Sequence, residues 1–381
     1  MLDLVPDGNC WDEVVAQAKA VEAAGATLIN TGIGWHEARI PTIATMVPRA
    51  GFSWVTRKLR GEVSIPLVAT NRINTPEVAE KVLADGDADM VSMARPLLAD
   101  AEFVNKAATG RADEINVCIA CNQACLDHTF SRQTATCLVN PRACHETELN
   151  YLPAAQPKSL AVVGAGPAGL AFSCVAAQRG HQVTLFEAAQ DIGGQFNMAK
   201  RIPGKEEFTE TLRYYRRQLE LQGVELRLGV EVAAAELQGF DEVILATGVT
   251  PRDPGIEGSQ HPMALSYVDV LKRNAEVGQR VAIIGAGGIG FDVAEFLGHP
   301  PHDPADHPEP AEFARQWGID MTLSARGGVK GVRAEPDPLQ REIWLLQRKS
   351  SKPGKGLGKT TGWVHRLSLR TRGVKMLAGV E

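Results

Sequence analysis

The sequence predicts an α/β protein built from parallel sheets, and three observations carry that prediction. Across residues 1–104, strand and helix signals alternate in a β–α–β–α–β series. An apolar strand runs into a glycine-rich turn and then a helix at two places, beginning at Ala161 and at Val281. Between these regions the periodicity weakens and four cysteines crowd into 118–137.

The totals narrow the class. At 381 residues the chain has room for two or three domains. A net charge of −5 gives no general basic field, so nucleic acid is not an expected partner. No apolar run reaches the roughly 18 residues of a membrane span. The opening Met1-Leu2-Asp3-Leu4-Val5-Pro6-Asp7 lacks a charged stretch followed by an apolar one, so the expectation is a cytoplasmic protein. In that setting, clustered cysteines point to metal or cluster ligation rather than to disulfides.

The elements follow in order. Trp11–Ala24 reads as a helix with Val14, Val15, Ala18 and Val21 on one face and Gly25 at its C-terminal end. Strands are expected over 27–33, 65–70 and 88–93. Between the last two, Thr75 is an N-cap and Pro76 the first helical residue. The expected units are 1–104, a cysteine segment at 105–150, a Pro-bearing linker, a first dinucleotide unit at 158–258 and a second at 259–381. A Pro/His-rich insertion from His299 through Pro310 reads as a surface loop.

The first glycine motif is Gly164-Ala165-Gly166-Pro167-Ala168-Gly169. Gly164 permits the turn, Gly166 lets the backbone approach a pyrophosphate, and Gly169 lets helix and strand pack closely. The helix N-terminus offers free N–H groups to the phosphates. Glu187, closing the next strand, can accept hydrogen bonds from ribose hydroxyls. The second copy is Gly285-Ala286-Gly287-Gly288-Ile289-Gly290. Its next strand, over 343–347, ends in Arg348-Lys349 rather than an acid. A cation there fits a 2′-phosphate, hence NADPH over NADH; the alternative is a solvated Arg348. Two dinucleotide sites imply one flavin and one nicotinamide. Glu242–Gly248 and Gly193-Gly194-Gln195 resemble the FAD-closing segments of glutathione-reductase-type flavoproteins. The stretch Gly354–Thr360 is not a P-loop, because the glycine needed five positions before Gly358 is Pro353.

The cysteines run Cys118-x2-Cys121-x3-Cys125-x11-Cys137. Four thiolates so spaced can hold zinc or an iron–sulfur cluster. Zinc sites usually show two C-x2-C knuckles, and beside two dinucleotide sites a one-electron carrier has a use that zinc lacks, so 4Fe-4S is favoured. Cys10, Cys144 and Cys174 are left as structural. In the first region, His36 follows a strand end beside a glycine pair and is raised to a proton donor. Arg72 and Arg95 sit at corresponding strand ends and suit a flavin phosphate and ring.

With these motifs placed, the chain resembles the bacterial NADPH-dependent 2,4-dienoyl-CoA reductases, iron–sulfur flavoenzymes of the old-yellow-enzyme group. The likeness rests most on Asn30–Pro41, on Cys118–Cys125 and on Leu357–Trp363. It implies an α/β architecture of the C-terminal part of a (β/α)8 barrel, an iron–sulfur segment, and FAD- and NADP-binding Rossmann-like domains. It further implies FMN in the barrel, a 4Fe-4S cluster beside it, and electrons passing from NADPH through FAD and the cluster to FMN and a dienoyl thioester. By the resemblance His36 is catalytic, Glu37, Ala38 and Arg39 bind the acyl-CoA substrate, and Arg72, Ala94 and Arg95 contact FMN. Gly164, Gly166, Ala168, Gly169, Glu187, Gln195, Lys205 and Val232 contact FAD; Gly285, Gly287, Gly290 and Arg348 belong to NADPH; Cys118, Cys121, Cys125 and Cys137 hold the cluster. Only three strands of the expected barrel are present, and the family's catalytic tyrosine falls outside the sequence. The expectation is therefore a fragment of a longer reading frame, with raw sheet edges prone to aggregation. An enoate reductase or amine dehydrogenase of the same superfamily, and a FAD/iron–sulfur electron-transfer module, are the alternatives.

Overall fold

The computed structural model describes every residue except 1, 36, 302, 304 and 305. The first unit opens with α1 (Trp11–Ala23), in which Val14 and Ala18 are buried and the Glu13 carboxylate accepts the Cys10 N–H at 2.9 Å. Gly25, with φ +97°, turns the chain away after it. Three strands follow, β1 (Ile29–Asn30), β2 (Leu67–Ala69) and β3 (Met90–Val91), separated by α2 (Ser53–Arg60) and α3 (Pro76–Ala84). They pair in parallel in the order β1-β2-β3, with Ile29 opposite Leu67 and Val68 opposite Met90. The central β2 is buried along its whole length. Thr75 caps α3 through a 3.3 Å bond from the Val78 N–H to its hydroxyl. These strands are shorter than the apolar runs over 27–33, 65–70 and 88–93 that predicted them.

Short helices α4 (Arg95–Ala99) and α5 (Phe103–Ala108) lead into the cysteine segment. A single π-helical turn, Gln123–Asp127, is entered at Asn122 with φ +60°. The next unit carries β4 (Ser159–Val163), α6 (Pro167–Gln178), β5 (Gln182–Glu187), α7 (Phe196–Ala199), α8 (Phe208–Leu221), β6 (Glu225–Leu228) and β7 (Glu242–Leu245). Its parallel sheet has the order β6-β5-β4-β7, so β4 has its two neighbours on opposite sides and the crevice at its C-terminal end is a topological switch point. The last unit comprises α9 (Tyr267–Leu271), β8 (Arg280–Ile284), α10 (Gly288–Gly298), α11 (Pro310–Trp317), β9 (Glu342–Gln347), α12 (Gly362–Arg372) and β10 (Lys375–Ala378), with the parallel order β10-β9-β8.

The cores do not respect the sequence divisions. Phe313, Ala314, Ile319 and Leu323, on and after α11, are buried with Leu2, Leu4, Ile40, Phe52 and Val55 of the first unit. Phe52 and Phe313 meet edge-on at 6.2 Å. The segment assigned by sequence to the nicotinamide unit thus completes the core of the first unit. Among the described residues no helix is long and apolar enough to cross a membrane.

Candidate functional site

The first dinucleotide crevice forms at the C-terminal end of β4. Gly164 takes φ +106°, and its N–H donates to the Phe186 carbonyl at 2.8 Å. Gly166 is the N-cap of α6, with Pro167 at the first helical position. A Cβ on Gly169 would lie 1.9 Å from the Gly164 carbonyl oxygen, so only glycine lets α6 approach β4 this closely. A Cβ on Gly166 would meet nothing within 4 Å, which leaves open ground over the helix N-terminus. Ala168 is exposed on the first turn. Glu187 holds this turn by accepting the Ala165 N–H at 2.8 Å and the Ala189 N–H at 2.9 Å. Gln195 spans toward the loop after β7, donating to the Val249 carbonyl at 2.9 Å while accepting from Tyr267 at 3.1 Å. Val232 is half-buried after β6. Lys205 binds both oxygens of Asp292 on α10, at 2.6 and 2.7 Å, and so ties the two dinucleotide units together.

The second crevice repeats the plan. Gly285 takes φ +115°, Gly287 caps α10, and a Cβ on Gly290 would sit 1.8 Å from the Gly285 oxygen. Register sharpens the sequence reading here. Gly164 bonds to Phe186, one residue before Glu187; Gly285 bonds to Leu346, one residue before Gln347. Gln347 therefore occupies the acid's position, and Arg348 is the residue after it. The Gln347 amide turns into its own loop, donating to the Lys349 and Ser351 carbonyls at 2.9 and 2.6 Å. Arg348 and Lys349 are exposed and form no ion pair among the described residues. The missed residue could have been found by aligning the two strand–glycine–helix units.

Cys118, Cys121, Cys125 and Cys137 line one small hollow, together with Arg95, Asn122 and the apolar Leu98, Ile119, Leu138 and Val139. Burial pushes the Cys121 thiol up to about 12 and that of Cys137 to about 11, with the other cysteines adding to the shift. Such thiols stay protonated at neutral pH unless a bound cation stabilises them as thiolates. The Arg95 guanidinium donates to Asn122 Oδ1 at 2.5 Å and to the Ile43 carbonyl at 2.8 Å. Burial depresses its pKa, which the neighbouring Cys118, Cys125 and Cys121 oppose. Among the described residues no group of three or more His, Cys, Asp or Glu side chains is placed to hold a metal ion. Cys10, Cys144 and Cys174 do not line this hollow.

Arg72 follows β2 in a left-handed conformation, φ +58°, and is buried. Its Nε donates to the Val47 carbonyl at 2.8 Å and its Nη2 lies 2.6 Å from Glu207 at the start of α8. Arg49 grips the same carboxylate through two bonds, at 2.9 and 2.7 Å, and also reaches Glu210. Burial alone would raise the Glu207 carboxyl, but Arg72 and Arg49 outweigh it and hold it at about 2. Nothing in the sequence pattern singled out Arg49 or Glu207. Ala94 is the N-cap of α4, so β3 delivers Arg95 directly to the cysteines. Glu37 and Arg39 line a cavity of about 640 Å³, while Ala38 is buried in the first core. His36 lies outside the described residues.

Two family models match parts of the chain. Residues 1–114 match the NADH:flavin oxidoreductase / NADH oxidase family. Residues 158–303 match the pyridine nucleotide-disulphide oxidoreductase family. A metal reductase of Desulforamulus reducens is 38% identical over 301 residues, covering 77% of this chain and 45% of that protein. A cinnamate reductase of Clostridium sporogenes is 33% identical over 298 residues, covering 76% and 44%. The structure of 2-naphthoyl-CoA reductase with 2-naphthoyl-CoA superposes with a TM-score of 0.83 at 28% identity, over 100% of this chain and 52% of that one. The chain spans about half the length of the relatives it matches.

Proposed function

Because the chain joins an old-yellow-enzyme-like NADH:flavin oxidoreductase segment to a pyridine nucleotide-disulphide oxidoreductase domain and is related to 2-naphthoyl-CoA reductase, we propose that it serves NADPH-dependent reduction of a carbon–carbon double bond conjugated to an acyl-CoA thioester, a 2,4-dienoyl-CoA in the first instance. The observation that carries this reading is the joining of three sites. Two glycine crevices are tied by Lys205 and Asp292, and Arg95, which follows β3, lines a four-cysteine hollow and reaches the Ile43 carbonyl of the first unit. A C=C substrate is also supported by the cinnamate and 2-naphthoyl-CoA reductases among its relatives.

The residues fit the groups the reading requires. The open ground at Gly166 and the N-terminus of α6 would receive the FAD pyrophosphate, with Glu187 toward its ribose. Gly287 and α10 would do the same for NADPH, with Arg348 and Lys349 free to meet a 2′-phosphate. Cys118, Cys121, Cys125 and Cys137 would hold the 4Fe-4S cluster in an apolar hollow, beside Arg95, whose guanidinium would offset thiolate charge. Ala94 and Arg95 would stand on the side of FMN, while Arg72 is engaged by Glu207. When bound, the flavins accept hydride and the cluster carries single electrons between them. His36 would hold the proton, with Glu37, Ala38 and Arg39 beside the thioester. A second reading, an electron-transfer module serving a separate acceptor, is favoured by the 38% identity to a metal reductase.

The test is the cofactor content of the anaerobically purified chain, by flavin chromatography and iron and acid-labile sulfide analysis, with Cys121→Ser beside it. FAD, FMN and about four irons per chain, with iron lost in the variant, support the reductase. FAD and iron without FMN favour the electron-transfer module. Zinc in place of iron overturns the cluster. In a chain that turns over dienoyl-CoA, His36→Ala should stop that turnover and leave NADPH-driven FAD reduction intact.

A further inference from the structure

The stretch Gly354–Thr360, whose spacing excludes a P-loop, nevertheless holds an anion, and the anion comes from the cysteine segment. Asp127 closes the π-helical turn that carries Cys125, its N–H donating to the Asn122 carbonyl at 3.0 Å. Its carboxylate meets the loop just ahead of α12. Oδ2 accepts the Lys359 N–H at 3.1 Å; Oδ1 accepts the Thr360 N–H at 2.8 Å and the Thr360 hydroxyl at 2.6 Å. Lys359 Nζ adds a bond to the Phe130 carbonyl at 3.1 Å. A Cβ on Gly358 would lie 2.7 Å from Asp127 Oδ2, so glycine leaves room for the carboxylate. The approach to a helix N-terminus favours negative charge, and hydrogen bonds to a carboxylate are stronger than neutral ones.

The same loop is anchored at the second glycine crevice. It leaves β9 through Arg348 and Lys349, at the acid's end of that crevice. The Gly354 N–H then donates to the Ala286 carbonyl, inside the Gly285–Gly287 turn, at 3.1 Å. The Gly354 carbonyl accepts from Arg366 of α12 at 2.8 Å. Gly354 takes φ +71°, and a Cβ there would come 2.7 Å from the Phe291 ring on α10. Residues 348–360 therefore run from the turn that would receive the nucleotide to the turn that carries Cys125.

We propose that Asp127 is a positioning residue: its carboxylate latches the 348–360 loop to the cysteine turn, so that a nucleotide in the second crevice steadies Cys125 and the hollow around it. The proposal rests on the reading of the second crevice as the nicotinamide site. Units of one chain move against each other unless an interface holds them. Here the holding contact lies on the cysteine turn itself, and a ligand that binds the latched form stabilises that form by mass action. The coupling is reciprocal, so the latched turn also favours the nucleotide.

Hydrogen exchange of the full chain, read by mass spectrometry with and without NADP+, tests it. NADP+ should slow exchange over 285–291 and 354–361, and also about fivefold or more over 122–131, a segment that supplies no residue of the glycine turn. Asp127→Ala should keep the slowing over 285–291 and lose it over 122–131. Gly358→Ala, which opens the latch from the other side and leaves the cysteine segment unaltered, should do the same. If one variant loses the wild-type near-ultraviolet circular dichroism, the other is read in its place. Slowing over 285–291 with none over 122–131 in the wild type overturns the latch alone, and so does slowing over 122–131 that persists in the folded variants. An NADP+ effect absent from every segment of the wild type overturns the nicotinamide reading and the latch with it.

Discussion

Replacing Glu207 with glutamine preserves shape and removes one charge. The Glu207 side chain is 1% exposed and that of Arg72 2%, so neither ion can recover hydration if its partner is lost. The size of the loss follows from the carboxyl's own titration. Held at about 2 against an ordinary 4.5, the carboxylate contributes about 3 kcal/mol at neutral pH. Breaking a buried pair by removing one partner typically costs about 3–5 kcal/mol, since an uncompensated charge remains. Guanidinium denaturation followed by tryptophan fluorescence at pH 7 should show Glu207→Gln destabilised by about that amount. The sign with pH is fixed: a depressed folded-state pKa gives stability that is present above 4.5 and lost as pH falls toward 2. Wild type should therefore lose about 3 kcal/mol more than Glu207→Gln across that window. A double change, Arg72→Met with Glu207→Leu, should recover part of the loss, because an apolar pair leaves no stranded charge. A Glu207→Gln variant within about 1 kcal/mol of wild type at pH 7 would refute the reasoning, since that is the range of an exposed pair.

Other changes probe the remaining sites. Gly290→Ala puts a Cβ 1.8 Å from the Gly285 oxygen; α10 must shift, and NADPH affinity by fluorescence titration should fall at least tenfold while flavin content stays at the wild-type level. Arg348→Ser should lower the preference for NADPH over NADH about tenfold, the worth of roughly one charge-assisted hydrogen bond, in steady-state flavin reduction. Glu295 behaves oppositely to Glu207: burial raises its carboxyl to about 7, so the stability linked to it is complete below 4.5 and lost as pH rises through 7. Glu295→Gln should therefore raise the thermal midpoint relative to wild type at pH 8 more than at pH 5.

What was legible in the sequence is local. The glycine turns could be read because each glycine answers a steric demand between residues five apart, as Gly169 does toward Gly164. The helix at Thr75-Pro76 could be read because its cap lies within one turn. The four cysteines could be grouped because spacing alone brings them to one hollow. Contacts between distant segments leave no periodic mark. The Arg49–Glu207 and Arg72–Glu207 pairs join residues 158 and 135 positions apart. The insertion from His299 through Pro310 read as a surface loop because it is made almost wholly of prolines, histidines and acids. Its described residues are exposed or half-buried, His307 among them, and the chain turns inward only beyond Pro310, where Phe313 and Ala314 are buried in the first core.

That crossing segment sets a clock on synthesis. Val55 and Phe313 share one core yet stand 258 positions apart in the sequence. At translation speeds of roughly 5–20 residues per second, the first unit waits roughly 13–50 s for the side chains that close its core. During that interval both dinucleotide motifs emerge and can fold, while β1, β2 and β3 remain partly uncovered. The vulnerability of the first unit to proteases and to chaperone capture on the ribosome is written in the distance between Phe52 and Phe313.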